Sequence, residues 1–150
     1  MILRKRRALT FAAALVGLLL VAFIGSRALD LSDAGMCGTS VISKESSPDH
    51  HASVVVFEHD CGATTDFGIH VALLRPGQDL TETTGALLFS VDSDHGRAAS
   101  GPKGGPWVEA HWAGPDSIVI RYDAAARIFR QTIVLDGVRV GYVSVIRVGA

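Results

Sequence analysis

Seventeen consecutive residues without a charged side chain, Ala8 to Ile24, follow four consecutive cations, Arg4, Lys5, Arg6 and Arg7. A helix over this run would rise roughly 26 Å at about 1.5 Å per residue. That is slightly under the ~30 Å hydrocarbon core of a bilayer, and tilt or local thinning absorbs such a mismatch at modest cost. The run therefore predicts an N-terminal transmembrane helix. It divides the chain into a membrane anchor over 1–25, a polar tether over 26–36 and one extracytoplasmic domain over 37–150. Lys and Arg beside a span stay on the cytoplasmic side, so the amino end is expected in the cytoplasm. The competing expectation is a cleaved signal peptide, which also has a basic start and an apolar stretch. Ser26-Arg27-Ala28 would then precede a cut before Leu29, although the run is longer than such peptides need and Arg27 is a poor neighbour for the cut.

Charge follows the same division. From Asp30 to Ala150, nine Lys and Arg stand against all fifteen acids, a formal charge of −6 that the total of −1 conceals. Phosphate binding needs a clustered basic face, and outside residues 4–7 the sequence has none, so nucleic acid is not an expected partner. The two cysteines, Cys37 and Cys61, both fall in the predicted outer domain, where an oxidising compartment permits a disulfide. Neither has a cation beside it of the kind that activates a thiol. A bridge between them is the expected reading, and closing a loop of about 25 residues stabilises a fold by roughly 3 kcal/mol in the chain-entropy model.

Beyond the anchor no long helical period occurs. Ala52 to Glu58 carries three successive valines and a phenylalanine, a β-branched run suited to a buried strand. Phe67 to Leu74 alternates, with Ile69, Val71 and Leu73 on one face and Gly68, His70 and Ala72 on the other. Thr39 to Ser43, Ala86 to Val91, Trp107 to Trp112, Ser117 to Tyr122, Ile128 to Leu135 and Val138 to Val148 read as further strands. Asp136-Gly137 between the last two is the strongest hairpin dipeptide in the chain. Ser47-Pro48-Asp49 and Gly114-Pro115-Asp116 read as turns, and Asp92 to Pro106, rich in Gly and Pro, as a loop. The predicted fold class is mainly β: a small antiparallel β-sandwich or curled sheet of about seven strands joined as hairpins.

The stretch from Cys37 through Ser47-Pro48-Asp49 and Val54-Val55-Val56-Phe57-Glu58 to Asp60-Cys61-Gly62-Ala63-Thr64-Thr65 resembles an uncharacterised family of small bacterial single-span proteins. These carry the same Cys-Gly-Ala-Thr-Thr run in a short β domain. The resemblance covers about a third of the chain and implies an inner-membrane anchor with a periplasmic domain. It implies no activity.

Several residues bear on chemistry. The Cys-Gly-Ala-Thr-Thr loop, with Gly62, Thr64 and Thr65, reads either as a tight turn beside the disulfide or as a small binding surface with His59 and His70. A metal site needs three or four converging ligands, and the six histidines show no such spacing, so no metal or other cofactor is expected. Asp92-Ser93-Asp94-His95-Gly96 mimics the opening of a calcium loop but lacks its later ligands and reads as a solvated acidic loop. No nucleophile elbow or phosphate loop is present. Trp107 and Trp112, an odd number of residues apart, should point to opposite faces. The sequence predicts a non-enzymatic, membrane-anchored envelope domain that contacts the bilayer through Ala8 to Ile24 and binds a protein partner. The alternative is a small-ligand or metal-binding domain using the Cys61 to Phe67 loop and nearby histidines.

Overall fold

The computed structural model describes residues 16–17, 38–61, 66–80 and 86–147. The chain divides into two compact units, Met1–Met36 and Cys37–Ala150. In the first, only Val16 and Gly17 are described, both helical, so the expected anchor lies almost wholly outside the described residues. Among the described residues no helix is long and apolar enough to cross a membrane.

The second unit is mainly β, with nine strands among the described residues. They are β1 (Gly38–Ser46), β2 (Ser53–Asp60), β3 (Gly68–Leu74), β4 (Leu87–Asp92), β5 (Val108–Gly114), β6 (Ser117–Asp123), β7 (Arg127–Gln131), β8 (Val134–Leu135) and β9 (Val138–Val145). They form a five-stranded sheet in the order β1-β2-β3-β4-β7 and a four-stranded sheet in the order β5-β6-β9-β8. Period-two alternation aims Val54 and Val56 of β2, and Ile69, Val71 and Leu73 of β3, at the same core that takes Ala110, Ile118, Ile120 and Val140 from the other sheet. One apolar core thus serves both sheets. The alternate residues, Val55 and Phe57 of β2 and Ala72 and Leu74 of β3, form a second buried cluster on the opposite face of the five-stranded sheet, with Leu80 and Leu87 packed against it.

Three expectations need correction. The pairing is not uniformly antiparallel, because β6 and β9 run parallel, in register from Ser117↔Arg139 to Asp123↔Val145. The predicted strand over Ile128 to Leu135 is two strands, β7 in the larger sheet and β8 in the smaller one. Neighbouring residues between them bond to different sheets: the Thr132 amide donates to the Leu88 carbonyl, and the Ile133 carbonyl accepts from the Val140 amide. That crossing is the reason for the parallel pair, since the chain leaves the smaller sheet after β6 and re-enters it from the far end. Finally, β1 extends four residues along β2 beyond a bulge at Ile42, so it is longer than the predicted Thr39 to Ser43.

Local chemistry explains the turns that connect these strands. Asp136 (φ 51°) and Gly137 (φ 84°) both occupy the left-handed region, as a two-residue hairpin of the primed type requires, and join Leu135 to Val138. The Ser47 hydroxyl, buried in the turn before β2, donates to Asp49 Oδ1 at 2.5 Å and accepts from the Ala52 amide at 3.1 Å. Tyr142 on β9 ties the sheets together, its hydroxyl meeting the carbonyls of Leu88 (3.1 Å) and Thr132 (2.7 Å).

Candidate functional site

The outer face of the five-stranded sheet changes character along its length. At the Ser53 and Leu74 end it carries the second apolar cluster. At the other end the register sets Thr39, His59, Gly68, Asp92 and Arg127 side by side across all five strands. A cavity of about 440 Å³ lies over this polar end, within the size range of small-molecule sites.

Two histidines expected from the sequence meet here. His70 stacks on Phe57 (ring centroids 5.4 Å, planes 26° apart) and receives His59 edge-on (6.0 Å, 73°). Gly68 makes room for this, because a Cβ there would sit 3.2 Å from His70 Nε2. His59 is held at both nitrogens, Nδ1 lying 3.2 Å from Thr39 Oγ1 and Nε2 3.3 Å from Cys61 Sγ. His70 Nδ1 is buried without a hydrogen-bond partner. A buried N–H without an acceptor is rarer and costlier than an unused acceptor, which favours the neutral tautomer with its proton on Nε2. Burial, followed by the neighbouring His59, holds the His70 pKa below the ordinary value, so the ring is uncharged near neutrality.

The opposite wall comes from the loop after β4. Asp92 is 5% exposed, not part of a solvated acidic loop as the sequence suggested. It takes a two-pronged contact from Arg127, through Nε to Oδ1 at 3.1 Å and through Nη2 to Oδ2. That bond to Asp92, with the charges of Asp94 and Asp66 further off, raises the Arg127 pKa. Asp66, just before β3, reaches across to fasten the loop, accepting from Ser93 Oγ at 2.9 Å and from the His95 amide at 2.7 Å. These hydrogen bonds, the His95 amide first, hold the Asp66 carboxyl below its usual range. The loop needs such fastening, since Asp94 (φ 46°), His95 (φ 59°) and Gly96 (φ 81°) occupy the left-handed region in succession, and the first two have no glycine's freedom.

A β-bulge completes the site. Between the pairs Ser90↔Arg130 and Val91↔Ile128, Phe129 is the unpaired residue of β7. Bulges re-aim side chains next to binding sites, and here Phe129 lines the cavity with the Arg127 guanidinium 5.1 Å from its ring centre.

Of the residues expected at a site, His59, His70 and Cys61 line this cavity, while Cys37, Gly62, Thr64 and Thr65 lie outside the described residues. No free cysteine occurs among the described residues. Sequence reasoning included Asp66 only within the Cys61 to Phe67 loop, without singling it out, and missed Asp92, Arg127 and Phe129 as site residues. Asp92 was visible in an acidic motif, whereas nothing local links Arg127 to a carboxylate thirty-five residues earlier. Among the described residues no group of three or more His, Cys, Asp or Glu could hold a metal ion. The two tryptophans separate as expected: Trp112 packs against the core and donates its Nε1 to the Glu45 carbonyl at 3.1 Å, while Trp107 lies beneath the guanidinium groups of Arg121 and Arg147.

No protein-family model, no curated protein and no solved structure matches this chain.

Proposed function

We propose that this protein is a membrane-anchored domain of the bacterial envelope, held at the inner membrane by Ala8 to Ile24, that binds a small ligand without transforming it. The observation that carries the reading is the cavity of about 440 Å³ in which His59 and His70 converge with Asp66, Asp92 and Arg127. Convergence of ionisable groups in a concave site is the usual mark of a binding site. Absence of a paired nucleophile and base in the sequence favours binding over catalysis. A Cys37–Cys61 disulfide belongs to the same proposal: the β1–β2 ladder runs in register to Gly38↔Asp60, and the next residues outward in the chain are these two cysteines.

Thermal melting of the full-length protein in detergent micelles, against amines, carboxylates, sugars, nucleotides and divalent metal chlorides, tests the reading. At least one class should raise the melting temperature in the native protein and not in His70→Ala. No shift with any class would overturn it.

Protein binding is a second reading, favoured by one observation. Phe129, Ile133 and Val134, on and between the edge strands β7 and β8, are 63%, 72% and 54% exposed. Exposed aromatic and aliphatic side chains in continuity commonly mark a contact surface. Cross-linking in intact cells from a photoreactive residue at position 133 should yield one defined adduct, and monomer alone would reject it.

A further inference from the structure

The charges of the cavity select among ligand classes. Four rings border it, those of His59, His70, His95 and Phe129, together with two carboxylates, Asp66 and Asp92, and one full cation, Arg127. The charge of Arg127 is already matched, because its Nε and Nη2 are committed to the two oxygens of Asp92 and its Nη1 lies 4.0 Å from Asp94 Oδ1. Asp66 is different. Its two oxygens accept from a hydroxyl and a backbone amide, both uncharged donors. Among the described residues its ion-pair contact is His95 Nδ1, 3.9 Å away on a side chain that is 80% exposed. An ionised carboxylate offers about four acceptor positions, so Asp66 keeps free acceptor capacity, and its charge is offset only at longer range, by His95 and Arg127.

We propose that the cavity binds an organic cation, a primary ammonium or guanidinium group on a short chain, with Asp66 as its anionic contact and the rings of Phe129 and His70 as walls. This rests on the small-ligand reading above and names its chemistry. A second observation points the same way. Within the site a guanidinium already lies against the Phe129 ring, 5.1 Å from its centre, the arrangement by which aromatic faces attract cations. Asp92, Asp94 and Asp66 all favour the charge of that guanidinium, so the field of the site favours positive charge. A small carboxylate would meet two carboxylates, Asp66 and Asp92, against the single guanidinium of Arg127, and such like-charge juxtaposition is unfavourable. The ligand must also be short, since a cavity of about 440 Å³ holds a small amine and not a peptide.

Calorimetric titration of the full-length protein in detergent micelles, with agmatine and choline as cationic probes and benzoate and acetate as anionic ones, tests the proposal. Agmatine should saturate a single site, choline should bind more weakly because its quaternary ammonium carries no N–H to donate to Asp66, and the anions should give no heat. Asp66→Asn should weaken agmatine by about tenfold or more, the loss of a charge-assisted hydrogen bond. Asp116→Asn, an exposed acid paired with Arg139 elsewhere, should leave binding unchanged. Because Asp66 also fastens the loop, Phe129→Leu serves as the second variant: its side chain is 63% exposed, so the fold should tolerate the change while agmatine affinity falls. Saturable binding of an anion, abolished in His70→Ala, with no binding of either cation, would overturn the charge assignment and leave the small-ligand reading standing. No binding of any probe, coupled with no shift in the melting panel, would overturn both.

Discussion

His70 is the residue at which environment departs most from composition. Stacked on Phe57 with a buried, unpartnered Nδ1, it resists protonation, and its pKa is lowered by burial first and by His59 second. The consequence for stability has a definite sign. Between the lowered folded value and about 6.5, the ordinary histidine value, the unfolded chain binds more protons than the folded one, so stability rises with pH. On acidification from about pH 8 to about pH 5 the melting temperature should fall, then level off below the folded pKa. His70→Gln should flatten this limb, measured by circular dichroism at a series of pH values. The Asp66 carboxyl, held below its usual range, acts in a lower window. Its contribution is present above the ordinary carboxylate value and is lost as pH falls through the folded one, so the two limbs are separable. Tyr142 is the second residue whose context matters, its phenol pushed up to about 12 by burial. Tyr142→Phe leaves the Leu88 and Thr132 carbonyls without that donor and should cost roughly 1–3 kcal/mol in denaturant unfolding.

At the scale of elements, turns and strands differ in how far their causes extend along the chain. Asp136-Gly137 was legible in the sequence because the hairpin needs two left-handed residues in succession, a requirement met locally. Gly137→Ala, at φ 84°, should therefore cost about 1 kcal/mol. The inward set Ile69, Val71 and Leu73 was legible for a similar reason, since alternation is a local property of a strand. The split of Ile128 to Leu135 into β7 and β8 was not, because Thr132 takes its partner from Leu88 in a remote strand and no Gly or Pro between Ile128 and Leu135 marks the crossing. The candidate site shows the same divide. Histidine chemistry drew attention to His59 and His70, while the bulge at Phe129 and the Arg127–Asp92 contact arise only when β7 joins β4. Gly105 was also hidden, read merely as part of a glycine-rich loop. A Cβ there would approach Ile69 Cδ1 and Cγ1 to 2.7 Å, and Ile69 is 1% exposed in the core. Gly105→Ala should cost roughly 1–3 kcal/mol, as overpacking does, whereas the same change at Gly77, at φ 82° but with open space around it, should cost less. Denaturant midpoints of the three variants would rank these causes.

For the molecule as a whole, the proposed disulfide connects topology to compartment. β1 is an edge strand of the larger sheet, held laterally by β2 alone, and Thr39 on it carries the hydrogen bond to His59 that helps set the cavity wall. Edge strands are the elements a sheet loses most readily, since one ladder instead of two restrains them. A bridge from Cys37 to Cys61 would close the ladder at the end nearest His59, just outward of Gly38↔Asp60, and facing positions on adjacent antiparallel strands lie within disulfide reach. In the proposed topology its formation would follow export, so the bond would report on that topology as well as on the fold. Protein taken from membranes without reductant should expose no thiol to alkylation, and two labelled thiols would refute the bridge. Reduction should lower stability by roughly 3 kcal/mol in the chain-entropy model, a fall in melting temperature on the order of 10 °C. Cys37→Ser with Cys61→Ser should reproduce that loss without reductant. If β1 is what the bridge secures, amide exchange should accelerate first along Gly38–Ser46, and the loss should reach the cavity through Thr39 and His59 before it reaches β4 and β7.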